Sequence, residues 1–282
     1  MRFKLLEVQL KCELQTIGPG APIKTRLTHR SLENLLARHY DCVRFVSVIR
    51  GGQYMKTTLF ILTLVLSIHS SAFAAIKFDA GVDATLQKQI NDDLSFMAQI
   101  QGNAGSGLHQ QIFGAVSGPA YATWFQKRIF SVGKNDCGSA IAVACVIPFQ
   151  NPNKMWVTPN YSNFNHPQIA RVSVIYHEAR HSETNHGNWS HAKCPTPFKD
   201  AQGKDIVSIW TGAQLQGQPA CDITPFGSYG SQTILLKNIA KNCSNCNSKV
   251  KADAEMFGTD QFGRIIDAKS RTQMSADFAK SI

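Results

Sequence analysis

Charge is sparse in this chain. Asp, Glu, Lys and Arg make up 17% of its 282 residues, against 43% hydrophobic. So apolar a composition excludes a disordered polyelectrolyte. Glycine, at 20 residues, is far below the roughly one-third of a collagen-like fibre, which is thereby excluded. No internal repeat and no low-complexity tract is present, so solenoid and propeller arrays are excluded. Long apolar runs are missing too. Leu59–Ile68 covers ten positions broken by Thr63 and Ser67, well short of the roughly 20 residues that span a bilayer. Cys243-Ser-Asn-Cys246 has no second Cys-x-x-Cys to match it. That removes a zinc ribbon, and the βαβ context of a thioredoxin-like dithiol is absent as well.

What the chain does have begins with basic charge. The formal net charge is +10, which taken whole invites a nucleic-acid partner. Its distribution changes that reading. Residues 55–74 read MKTTLFILTLVLSIHSSAFA. Lys56 is a positive start, Leu59–Ile68 an apolar core, and Ala72-Phe73-Ala74 a small-x-small cleavage site. That order is a secretory signal peptide, with cleavage expected after Ala74. Residues 1–54 precede it with nine basic and four acidic side chains. A signal peptide belongs at an N-terminus, so 1–54 is expected to be a mis-assigned upstream extension. Residues 75–282 then form the mature chain, with 19 basic and 15 acidic side chains, net +4. No basic stripe with interleaved aromatics remains, so no nucleic-acid partner is expected. Nor is a membrane partner expected after cleavage.

Six cysteines follow the cleavage site: Cys137, Cys145, Cys194, Cys221, Cys243 and Cys246. An even number in an exported chain reads as disulfides. Fifteen pairings are open; the local one, 137–145, 194–221 and 243–246, is the expectation.

Apolar spacing predicts a helix over 82–100. Arg128–Val132, Ala140–Phe149 and Lys154–Thr158 are strand candidates. Pro167 suits the first position of a helix over 167–184. Residues 188–226 read as a long loop with short elements, 228–242 as a helix, and 247–268 as a last helix. The fold class is therefore α+β, with a small strand-containing half followed by a helical half.

The 167–184 helix carries His177-Glu178-Ala179-Arg180-His181, an HExxH match. Residues i and i+4 share a helix face, so two imidazoles converge on one metal ion. Glu178 then stands beside the metal as a general base for water. Zinc is the expected ion, since it acidifies bound water and polarises a carbonyl. Arg180 is expected to pair with Glu183 three residues on. Tyr229 is a candidate donor to a substrate oxyanion, or else a core residue.

The motif resembles the zincin metallopeptidases, and the resemblance is local. Such a site takes a third protein ligand. The metzincin pattern HExxHxxGxxH places Gly at 184 and His at 187, where this chain has Thr184 and Gly187. The preferred third ligand is His191, whose loop Cys194 can pin. Asp222, His186 and Glu255 are the alternatives. The segment 177–240 is also similar to a group of exported bacterial proteins. In these an HEARH helix precedes a His–Cys loop and a Gly-(Ala/Ser)-Tyr-Gly-x-Gln helix, here Gly227–Gln232. The resemblance implies a zincin-like fold stabilised by disulfides, with the small strand-containing half packed on the HExxH helix. It also implies an exported zinc peptidase acting on a protein or peptide. A zinc-binding interaction module without turnover is the alternative.

Overall fold

The computed structural model describes residues 76–163 and 165–280. The expected upstream extension and signal peptide, 1–74, lie outside the described residues. The chain is mixed α+β. The described residues open with β1 (Lys77–Phe78), then three helices, α1 (Ala84–Ala98), α2 (Gly107–Ile112) and α3 (Gly118–Gln126). Strands β2 (Ser131–Lys134), β3 (Ala144–Val146) and β4 (Lys154–Val157) follow. Next come α4 (Pro159–Asn163) and the HExxH helix α5 (Gln168–His181). A 3-10 segment (Thr184–Trp189) leads to β5 (Ala192–Lys193) and β6 (Pro219–Cys221). Helices α6 (Ser228–Asn242), α7 (Ser248–Phe262) and α8 (Ala268–Lys280) end the described chain.

Local chemistry explains the boundaries. Asp83 caps α1 by accepting from the Leu86 amide at 2.9 Å, as an N-cap carboxylate does. Leu86, Ile90, Leu94 and Met97 of α1 are all buried, one face of a 3.6-residue period. The four-stranded sheet has order β1-β2-β4-β3. β1 and β2 run parallel, as do β2 and β4, while β3 is antiparallel to β4 and pairs Cys145 with Trp156. β5 and β6 form a separate antiparallel pair.

Helix α5 is the centre of the fold. Of its 14 residues, only Gln168, Arg171 and His181 are not buried. It packs on α6, β3, β4, α7 and α1. Beneath it, Tyr176 stacks on Trp124 at 5.5 Å and meets Tyr121 edge-on at 6.0 Å. Its first turn is tied to α1 by Arg171, whose Nε and Nη2 donate to the fully buried Asp93 at 2.9 and 2.7 Å. Such a two-pronged pair fixes rotation as well as distance.

Cys137–Cys145, Cys194–Cys221 and Cys243–Cys246 stand at disulfide distance, with Cα separations of 5.9, 5.1 and 5.5 Å. The local pairing expected from the sequence is the one observed.

Several boundaries differ from expectation. Pro167 is the N-cap residue, with extended ψ of 149°, and not the first helical position. Only Ala144–Val146 of the 140–149 candidate is strand, because the Cys137–Cys145 bridge holds the preceding residues in a turn. The helix expected over 247–268 as the last one stops at Phe262, before Gly263, and a further helix, α8, begins at Ala268. The strand-containing half also holds α1–α3, and the helical half follows the β5–β6 pair.

Candidate metal centre

Two segments deliver three imidazoles to one point. His177 and His181 project from α5, and His191 comes from the segment entering β5. The Nε2 atoms of His177 and His191 lie 3.2 Å apart, as do those of His181 and His191. All three ligand atoms fall within 4.8 Å of one another. The group can hold a metal ion.

The hydrogen bonds say which nitrogen carries each proton. His191 Nδ1 faces Asp222 Oδ1 at 2.9 Å, so Nδ1 donates to the carboxylate. His181 Nδ1 faces the Asn188 carbonyl at 2.7 Å and donates to it. For His177 the assignment follows from a chain of contacts. Ser173 Oγ donates to the Ala170 carbonyl at 2.7 Å, so it accepts from Gln232 Nε2 at 2.8 Å. That turns Gln232 Oε1 toward His177 Nδ1 at 3.1 Å, and Nδ1 again carries the proton. A neutral imidazole has one N–H and one lone pair. All three Nε2 atoms therefore present lone pairs to one another with no proton between them. Without a cation that contact is repulsive.

A tetrahedral ion at about 2.0–2.1 Å from each ligand nitrogen would separate those nitrogens by about 3.3 Å. The observed 3.2 Å fits. Outer oxygens that fix tautomer and ring direction are the usual surroundings of metal-binding histidines. Burial, reinforced by the neighbouring imidazoles, holds His177 well below the ordinary histidine range and His181 down at about 3. Both therefore stay neutral, as ligands must.

The supporting shell is built from distant segments. Asp222 follows β6, and its Oδ2 accepts from the amides of Tyr229 and Gly230 at 2.7 and 3.2 Å. One carboxylate thus orients His191 and caps α6. Gly227 is required there, because a Cβ would stand 2.3 Å from Asp222 Oδ2. The Cys194–Cys221 bridge ties together β5, which follows His191, and β6, which precedes Asp222. The Asn188 carbonyl is presented by a left-handed turn, with φ of 60°, 56° and 47° at Gly187, Asn188 and Trp189. Such conformations cost energy for residues other than glycine. Here the turn is held by Asn188 Nδ2 donating back to the His181 carbonyl at 2.9 Å.

Glu178 lies buried on the flank of α5 that faces β3. Burial raises its carboxyl to about 8, opposed by a hydrogen bond from the Val146 backbone. A cation among the histidines would draw that value down. The Tyr229 ring packs on His177 and His191, both at 4.5 Å. Its hydroxyl accepts from Arg264 Nη1 at 2.9 Å, which leaves its own proton to donate.

The other candidates lie elsewhere. Asp222 stands behind His191 as its acceptor, outside the cluster of ligand atoms. His186 stacks on Trp189 at 4.8 Å. Glu255 is on α7, paired with Lys237. Arg180 does pair with Glu183, at 2.6 Å. Sequence reasoning missed Gln232, Ser173 and Arg264 as supports. Gln232 was within reach as the last residue of the Gly227–Gln232 motif; Ser173 and Arg264 carry no local signal. No protein-family profile, curated protein or solved structure matches the chain.

Proposed function

We propose that the protein is an exported zinc-dependent peptidase of zincin type. One observation carries this reading: three Nε2 lone pairs converge, that of His191 lying 3.2 Å from each of the other two, beside a buried glutamate and with every Nδ1 proton turned outward. His177, His181 and His191 would hold the ion. Bound zinc supplies a water acidified toward neutrality and a Lewis acid for a carbonyl oxygen.

The chain's own groups do the rest. Glu178, once ionised, takes a proton from water at one side of the cluster and returns it to the leaving amine. Tyr229, its oxygen engaged by Arg264, donates its hydroxyl proton to the charge that develops on the substrate oxygen. Asp222, Gln232 and the Asn188 carbonyl keep the imidazoles aligned throughout. The paired cysteines are compatible with an extracellular location. No helix among the described residues is long and apolar enough to cross a membrane.

The test is metal content and turnover together. Purified, oxidised protein should hold one zinc per chain, and His177→Ala should lose it. Glu178→Gln should keep the ion and lose about 10²–10⁴-fold in peptide hydrolysis. Absence of stoichiometric metal would sink the reading. Bound zinc with no Glu178-dependent turnover would leave an interaction module that uses the same site.

A further inference from the structure

Beyond the C-terminal end of α5, on the flank away from Glu178, lies a cleft of about 670 Å³. It is lined by Arg128, Arg180, Glu183, Trp189, Phe226 and Ile112 among others. Its volume is that of a small-molecule site. Glu183 is the single acidic residue among its lining residues, and it is already saturated. Its Oε1 accepts from Arg128 Nε and Nη2 at 2.8 and 2.5 Å and from Arg180 Nη1 at 2.6 Å. Its Oε2 accepts from Trp189 Nε1 at 2.8 Å. Two guanidiniums therefore share one carboxylate, and one positive charge in the cleft has no counter-ion among the lining residues.

The arginines are also short of acceptors. Each guanidinium carries five N–H donors. Beyond Glu183, Arg128 donates to the Trp124 carbonyl at 2.7 Å and Arg180 to the Phe226 carbonyl at 2.9 Å. Arg180 Nη2 has no acceptor among the described residues and is not one of the buried unpartnered atoms, so it is open to solvent. Indoles cover the guanidinium faces: Arg128 lies 3.8 Å from the Trp124 ring centre and Arg180 4.6 Å from that of Trp189. A stacked guanidinium offers its remaining edge N–H groups, Nη2 of Arg180 foremost, for charge-assisted bonds to a carboxylate. Trp189, Phe226 and Ile112 provide apolar wall around that edge.

We propose that this cleft is a binding site for an organic carboxylate with an apolar body, held by Arg180 and Arg128. A free aromatic acid and the C-terminal end of a peptide share this chemistry. None of the three clustered histidines lines the cleft, and the proposal does not rest on the peptidase reading.

The experiment is calorimetric titration of the purified protein, with its metal as isolated. The probes are 3-phenylpropionate, N-acetyl-Ala-Ala-Phe with a free carboxylate, and the same peptide amidated. The acids should bind saturably and the amide at least tenfold more weakly. Arg180→Gln and, separately, the more exposed Arg128→Gln should each weaken the acids at least tenfold while metal content is unchanged. Tighter binding of the peptide assigns the occupant to a chain end, and tighter phenylpropionate to a free acid; either supports the site. Equal heats for acid and amide, no saturation, or loss of binding in His177→Ala but not in Arg128→Gln would overturn it.

Discussion

Replacing Asp222 by Asn removes one oxygen and adds one N–H pair at a site where three donors converge. The carboxylate accepts from His191 Nδ1 at 2.9 Å, Tyr229 N at 2.7 Å and Gly230 N at 3.2 Å. An asparagine has a single acceptor oxygen and must choose. Turned toward α6 it satisfies two amides; turned toward His191 it satisfies one imidazole. A buried unsatisfied donor costs about 1–3 kcal/mol, so the orientation that strands fewer donors wins, and the oxygen stays with the helix. The amide NH₂ then faces His191 Nδ1–H. The imidazole, unlike a backbone amide, escapes by moving its proton to Nε2. That places a proton on the lone pair that a metal ion needs. Supporting groups of this kind are worth about 10–100-fold in metal affinity, or about 1.4–2.7 kcal/mol. Competition against a chromophoric zinc chelator reads the affinity, and nitrogen NMR of the imidazoles reads the tautomer. Affinity within twofold of the parent, together with a lowered melting temperature, would refute the reasoning. It would mean that Asp222 serves the helix and not the histidine.

Acid should destabilise the metal-free protein through His109, which lies between the Gly114 carbonyl and the Tyr121 hydroxyl. Burial lowers it to about 4, so below pH 6.5 the unfolded chain gains a proton that the folded chain refuses. The stability it contributes is whole above pH 6.5 and is lost as pH falls, by about 3 kcal/mol at pH 4. Urea unfolding at pH 7 and pH 4 should show a smaller fall for His109→Gln; an equal fall would contradict the assignment. Removing the Cys194–Cys221 bridge by a double Ser substitution releases a loop with a sequence separation of 27. The expected loss is about 3–4 kcal/mol of stability, with weaker zinc binding, because the strands next to His191 and Asp222 come untied. Unchanged zinc affinity in the folded double variant would show that the hairpin needs no staple.

The parts of this structure that repeat a local rule were legible in the sequence. Helix α6 begins at Ser228 and ends at Asn242, where the apolar spacing put it. His177 and His181 share a face because i and i+4 always do. His191 was reachable because a cysteine three residues on pins its loop. Helix α8 was not legible, since only Ser270 and Met274 of it are buried, too few to make a period. The support of His177 was hidden for a different reason. Gln232 and Ser173 act across 59 residues, and neither residue type signals a role until the fold brings them together. Asp222 shows the same limit. Its carboxylate was recognised as belonging near the metal, but sequence does not distinguish a ligand from the group behind one.

The order of the disulfides has a consequence for how the molecule is made. Cys137 joins Cys145, Cys194 joins Cys221, and Cys243 joins Cys246, so every bridge links neighbours in cysteine order. A chain threaded N-terminus first into an oxidising compartment meets each partner before the next cysteine arrives. An oxidant that joins thiols in order of emergence therefore makes the native set directly, without exchange to correct it. In a chain exported in that way the middle bridge would close only once Cys221 had emerged, one residue before Asp222, so all three histidines would already be across.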